Sequence, residues 1–140
     1  MKNYLTVTAA AAGAYVAATL GGWDTALQTL VVFMAIDYIS GIIVAGVFLK
    51  SRKSKNGALS SKCSWEGLVK KGMQILLVLI AFRLDVMMGI DFVRTAVIIA
   101  FISNELISIL ENAVLMGIPV PDKLRKAVDI LESTKQGGLR

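Results

Sequence analysis

Residues 94–112 read RTAVIIAFISNELISILEN. The run is apolar enough and long enough to cross a bilayer, yet it carries Asn104, Glu105, Ser108, Glu111 and Asn112. At about 100° per residue these five polar groups fall within roughly 120° of one helical face. The rest of the circumference is aliphatic or aromatic: Val97, Ile98, Ile99, Phe101, Ile102, Leu106, Ile107, Ile109 and Leu110. A membrane helix with one polar stripe must aim it at protein or water, because an unpaired polar group in lipid is costly. What the stripe faces is the question for the rest of the chain.

The surroundings are of the same kind. Of 140 residues, 56% are hydrophobic, above the roughly 45–50% of an average soluble domain, and they come in long blocks. The fold expected is an all-α integral membrane protein of three to four transmembrane helices plus a C-terminal cytoplasmic amphipathic helix. The net charge of +5 is confined to a few segments, which argues against a nucleic-acid surface. Histidine is absent and Cys63 is the only cysteine, so a His/Cys zinc cluster, an internal disulfide and a histidine-based triad are excluded. No serine stands in a recognisable nucleophile setting; neither an enzyme nor a cofactor is expected.

Residues 5–20 form a short, alanine-rich first block, a weak span near the lower length limit. Ala9, Gly13, Ala17 and Gly21 repeat there at i+4, an edge on which another helix can pack closely. The alternatives are a signal peptide or a helix lying in the interface. After GGWDT at 21–25, residues 26–49 make the clearest span. Its one charge is Asp37, with Gly41 and Ala45 following at i+4 and i+8. An ionisable group at mid-membrane is a functional candidate by default, with a helix–helix hydrogen bond as the structural alternative.

Residues 50–71 read as a basic cytoplasmic loop carrying Lys50, Arg52, Lys53, Lys55, Lys62, Lys70 and Lys71 against Glu66 alone; such a loop stays inside and attracts anionic lipid. A third span, 72–89, contains Arg83 and Asp85, which at i, i+2 lie on nearly opposite faces. Asp85 is close enough to the end to reach the interface. The fourth span is 93–112. Gly117, Pro119 and Pro121 then turn the chain, and residues 121–133 show an amphipathic helical pattern suited to the cytoplasmic membrane surface or a partner chain. Residues 134–140 read as a flexible tail.

Most of the 15 Lys and Arg residues fall at the N-terminus, in the 50–71 loop and in the C-terminal segment. Four spans with both termini cytoplasmic therefore satisfy the positive-inside rule. In that arrangement Asp37 and Glu105 lie at similar depth and the long side chain of Arg83 reaches toward them, so an ion pair of Arg83 with Asp37 or Glu105, within or between subunits, is expected, with Arg83 snorkelling outward as the alternative. The remaining polar groups exceed what one arginine can satisfy, which points to copies of the chain packing together or to an aqueous lumen.

With these features in place, the sequence resembles the toxin-secretion/phage-lysis holin family. The resemblance rests on DYISG (37–41), LSSK (59–62), GLVKK (67–71), RLD (83–85), NEL (104–106), SILEN (108–112) and GIPVP (117–121), in that order. It implies a small protein that accumulates and oligomerises in the cytoplasmic membrane. At a set time it forms lesions that release a muralytic endolysin, without necessarily contacting it, or a toxin. On that view Asp37, Arg83 and Glu105 hold helices together and then line the opening. The competing readings are a small proton- or cation-coupled transporter or channel subunit using Asp37 or Glu105, and a regulator acting through its C-terminal helix.

Overall fold

The computed structural model describes residues 1–137. The side chains of 131, 132 and 134–137, and the expected tail residues 138–140, lie outside the described residues. Five helices follow in order: α1 (Lys2–Thr19), α2 (Thr25–Gly46), α3 (Ser61–Met88), α4 (Val93–Leu115) and α5 (Asp122–Gly137). α4 is the centre. It packs along α2 and along α3, while α2 and α3 touch each other little. The starts of α2 and α4 meet at one end, and α3 runs antiparallel to both.

Local chemistry sets the boundaries. Asp24 opens α2 by accepting a hydrogen bond from the Leu27 N–H at 2.9 Å, an N-cap that satisfies one of the free donors of the first turn. α3 ends at Gly89, which takes the left-handed conformation at φ 68°, and the Ile90 N–H then closes on the Asp85 carbonyl at 3.0 Å, the glycine-terminated stop that favours a residue without Cβ. Asp85 also acts through its side chain. Its carboxylate, 5% exposed, accepts from the N–H groups of Val93 and Arg94, both at 2.9 Å, so the last turn of α3 caps the first turn of α4. Asp85 was expected to lie close enough to the end of its span to reach the interface; its carboxylate is folded into the hairpin at that end. Asp85→Ala strands one buried and one part-buried donor and should lower stability by about 2 kcal/mol, read as a lower melting temperature by circular dichroism in detergent micelles. Asp85→Asn, which keeps an acceptor, should recover part of that loss.

Two expected boundaries shift. The basic segment 50–71 is loop only as far as Ser60: α3 begins at Ser61, so Lys62, Lys70 and Lys71 are helical. α5 continues past 133 to Gly137, so 134–137 extend the helix rather than starting a tail. The remaining loop folds back on itself, with the Ser51 N–H donating to the Gly57 carbonyl at 3.0 Å and the Cys63 thiol donating to the Lys53 carbonyl at 3.0 Å.

The apolar core is small and lies toward the end where α2 and α4 begin: Leu20, Leu27, Leu30, Met34, Val78 and Ile98. Among the described residues Val44, Ala45 and Ala81 are buried outside this cluster, and the remaining buried side chains are polar or charged: Asp37, Asp85, Arg94, Ser103, Glu105 and Asn112. Val32, Ile36, Ile39 and Ile43 of α2 and Leu76, Ile80 and Leu84 of α3 face outward. A water-soluble protein of this size would show the reverse. α2 and α4 are long and apolar enough to cross a membrane, and only 33% and 22% of their most apolar stretches are buried; the core helix of a soluble protein would be mostly covered. Charges inside and aliphatic side chains outside are what a lipid solvent requires.

α1 contributes no buried residue to this body. Its expected small-residue edge is open along Ala9, Gly13 and Ala17, and the fourth member of the repeat does something else. Gly21 lies beyond the helix end at φ 88°, and a Cβ there would come within 2.7 Å of Arg94 Nε and 2.8 Å of Phe82 Cδ2. Gly21→Ala combines backbone strain with a collision against a buried side chain and should cost about 1–3 kcal/mol; a thermal melt matching wild type within error would contradict this account of the turn.

Candidate functional site

Where α2, α3 and α4 come together, α4 carries Glu105 to the level of Asp37 on α2. The Lys71 ammonium from α3 lies between the two carboxylates, 2.7 Å from Asp37 Oδ2 and 2.5 Å from Glu105 Oε2. The side chains are 14% exposed for Lys71 and 6% for each acid. Asn112 extends the network about two turns further along α4, its Nδ2 donating to Ser40 Oγ at 2.8 Å and to Asp37 Oδ1 at 3.4 Å. Ser108 and Asp37 line the same cleft beside this network. Gly41 faces Asn112 across the α2–α4 seam, where an added Cβ would make only ordinary contact at 3.8 Å.

The expected Arg83 ion pair is not formed. Arg83 is exposed on α3, and Lys71 takes its place between the acids. The physical reason is the helical face. Lys71, Ile75, Val78, Phe82 and Asp85 repeat at i, i+4, i+7, i+11, i+14 and lie within about 80° of one another, whereas Arg83 points about 120° from the middle of that stripe. Depth alone suggested Arg83; the face excludes it. The signal was available in the sequence, but it required continuing the helical period of α3 back into the segment read as loop. Arg83→Leu should therefore change thermal stability by less than about 0.5 kcal/mol, as for an exposed position.

The polar stripe of α4 is largely met within one chain. Glu105 and Asn112 are buried against α2 and α3, and Ser103 donates back to the Ile99 carbonyl at 2.8 Å. Glu111 is exposed, with Arg52 of the loop 3.9 Å away, a solvent-screened pair worth under about 1 kcal/mol. Asn104 lies on the exposed side of α4. The expected excess of unsatisfied groups does not arise: among the described residues, Ser54 Oγ is the buried side-chain atom without a hydrogen-bond partner. Of the basic residues, Lys50, Arg52, Lys53 and Lys55 are on the loop, and Lys62 pairs with Glu66 one turn on at 4.0 Å.

A second cluster, around Arg94 at the start of α4, was missed from the sequence. Arg94 is 7% exposed. Its Nη1 and Nη2 donate to the Asp24 carboxylate at 2.7 and 3.2 Å, its Nε to the Leu20 carbonyl at 2.5 Å and its Nη2 also to the Gly22 carbonyl at 3.1 Å. This planar fork joins the α1–α2 turn to the start of α4. The hydrogen bonds from Arg94 hold the Asp24 carboxyl below its ordinary value, against the smaller opposing effect of burial.

Next to the Lys71 cluster a cleft of about 430 Å³ opens between α2, α3 and the loop. Asp37, Glu105 and Lys71 form part of its wall, together with the basic Lys53 and Lys70 and the apolar Ile42, Met73 and Leu77.

Comparison with known proteins agrees with this membrane-type arrangement. Residues 14–133 match the model of the Bacteriophage holin family. The chain is 39% identical over 117 residues to an uncharacterised 14.9 kDa protein from the nagH 3′ region of Clostridium perfringens, covering 82% of this chain and 83% of that one. It is 34% identical over 138 residues to an uncharacterised protein of Halalkalibacterium halodurans, covering 94% and 96%. It is 32% identical over 108 residues to a probable holin of Bacillus phage phi105, covering 76% and 74%. No solved structure matches. With a family match that runs from α1 into α5 and takes in the whole Asp37–Lys71–Glu105 cluster, this membrane protein belongs to the bacteriophage holin family.

Proposed function

We propose that the protein is a holin of the bacterial cytoplasmic membrane. It accumulates as a multi-pass protein, associates with copies of itself, and opens lesions through which an endolysin, or a toxin, reaches the cell wall. α2, α3 and α4 cross the bilayer with the 50–60 loop and α5 on the cytoplasmic side. α1, about 27 Å long by its rise, supplies a fourth span that leaves the N-terminus inside. Arg83, about 8 Å from the outer end of α3 by the same rise, extends to the outer headgroups.

The observation that carries this reading is the charge cluster of Lys71 with Asp37 and Glu105. It keeps the polar faces of three helices turned inward, and separating those helices exposes faces that only water or like chains can cover. A transported proton or cation would have to displace the Lys71 ammonium, which weighs against the transporter reading. Inducible expression in a bacterial host together with a cytosolic endolysin tests the proposal. After a delay, membrane potential should collapse abruptly and the culture should lyse. Graded ion flux or slow growth inhibition, with the endolysin retained, would refute it.

A further inference from the structure

The cleft beside the charge cluster is lined by both basic and apolar side chains. Neither Lys53 nor Lys70 has a carboxylate partner among the described residues, whereas Lys71 is engaged by two. Ser51, Ser54, Ser60 and Ser64 line the same cleft, and Ser54 Oγ is the buried hydroxyl without a partner. Ser60 opens α3 without capping it through its side chain, so the free donors of that first turn add positive potential on the same wall. Away from the loop, Met73 and Leu77 of α3 add an apolar wall. Measured from the outer end of α3, Leu77 lies about 16 Å deep, Met73 about 22 Å and Lys70 about 27 Å. In a hydrocarbon layer of about 30 Å, the apolar wall is therefore in the inner leaflet and the lysines are at its headgroup boundary.

We propose that this cleft binds one anionic phospholipid of the inner leaflet. Its phosphate is held by Lys53, Lys70 and the Ser54 hydroxyl, and the first part of an acyl chain lies along Met73 and Leu77. The proposal rests on the membrane orientation given above. A generic attraction of basic loops for anionic lipid needs no cavity; here the cations, the unpartnered hydroxyl and the apolar wall are combined at the depths that the parts of one lipid occupy. Because the same cleft is walled by Asp37, Glu105 and Lys71, the lipid would touch the residues that join α2, α3 and α4. Separating those helices would then release it.

Native mass spectrometry of the full chain in detergent, with phosphatidylglycerol or phosphatidylcholine added, reads the site directly. Wild type should retain one phosphatidylglycerol per chain with at least tenfold preference over phosphatidylcholine. Lys53→Gln with Lys70→Gln should lose that preference, whereas Lys123→Gln with Lys126→Gln, an equal charge change on α5, should keep it. Gly67 lines the cleft, and a Cβ there has room, its nearest neighbour being Tyr38 at 3.8 Å. Gly67→Leu should thus occupy the cavity and reduce lipid retention with every charge in place. Equal losses in the cleft and α5 variants, or retention unaffected by Gly67→Leu, would overturn the proposal. So would displacement of the lipid by free glycerol phosphate, which would indicate an anion site rather than a lipid site. Protein recovered in the soluble fraction would refute the membrane reading instead, so the two failures are distinguishable.

Discussion

Lys71→Met is expected to destabilise the folded chain by about 3–5 kcal/mol, the range for removing one partner from a buried ion pair. The lysine is 14% exposed between two carboxylates that are each 6% exposed. Without it, two acids face each other with neither water nor a counter-charge. The repulsion can be relieved by protonation, by separation of α2 from α4, or by water entering the seam, and each weakens the three-helix body. Replacing all three residues (Lys71→Met, Asp37→Asn, Glu105→Gln) should recover most of the loss, because removing the charges together leaves groups that can still hydrogen-bond one another. Detergent-to-SDS unfolding titrations followed by circular dichroism would measure both. On the proposed function, Lys71→Met should also shorten the delay before lysis, and the triple variant should lengthen it again. A single variant as stable as wild type would mean that the cluster does not hold the helices together.

Arg94→Met should be the next most damaging change, at about 2–3 kcal/mol. Its guanidinium is almost fully buried and serves Asp24 and two backbone carbonyls. The cost stays below that of Lys71 because the Asp24 side chain is 49% exposed and can regain water once its partner is gone. The interaction also has a pH signature. The Asp24 carboxyl is lowered from 3.8 in the folded chain, first by its hydrogen bonds from Arg94. A depressed carboxyl contributes stability that is fully present above the unfolded value and is lost as pH falls through the lower, folded value. Melting temperature should accordingly fall as pH drops below 3.8, and the part of that fall due to Asp24 should disappear in Arg94→Met. An unchanged acid slope in the variant would show that the fork does not control Asp24.

The two predictions concern clusters that differed in how readable they were. Asp37, Glu105, Ser108 and Asn112 could be picked out from the sequence because polar residues inside an otherwise apolar helix have few solvents available to them. Their partner could not, as long as Lys71 was counted with the loop. A lysine in a basic, serine-rich segment has the composition of a solvated residue, and only the helix that starts at Ser61 turns it onto the inner face. The roles of Arg94 and Asp24, and the partners of Asp85, were hidden for a related reason. These residues stand at helix ends, where polar residues are ordinary, and nothing in their spacing tells which backbone donors or carbonyls the neighbouring turn will present to them.

By itself the sequence determined that the protein is helical and made for a membrane, that 94–112 carries a polar stripe, and that the ordered set of short motifs resembles the holin family. Those properties follow from composition and from a period of 3.6 residues, which any local stretch displays. The tertiary structure decided what the stripe meets within the chain: Lys71 rather than Arg83 for Glu105, and Ser40 with the Asp37 carboxylate for Asn112. That choice depends on the rotation of α3 about its axis and on the register between α2 and α4. Both are set where all three helices pack, so no single segment records them.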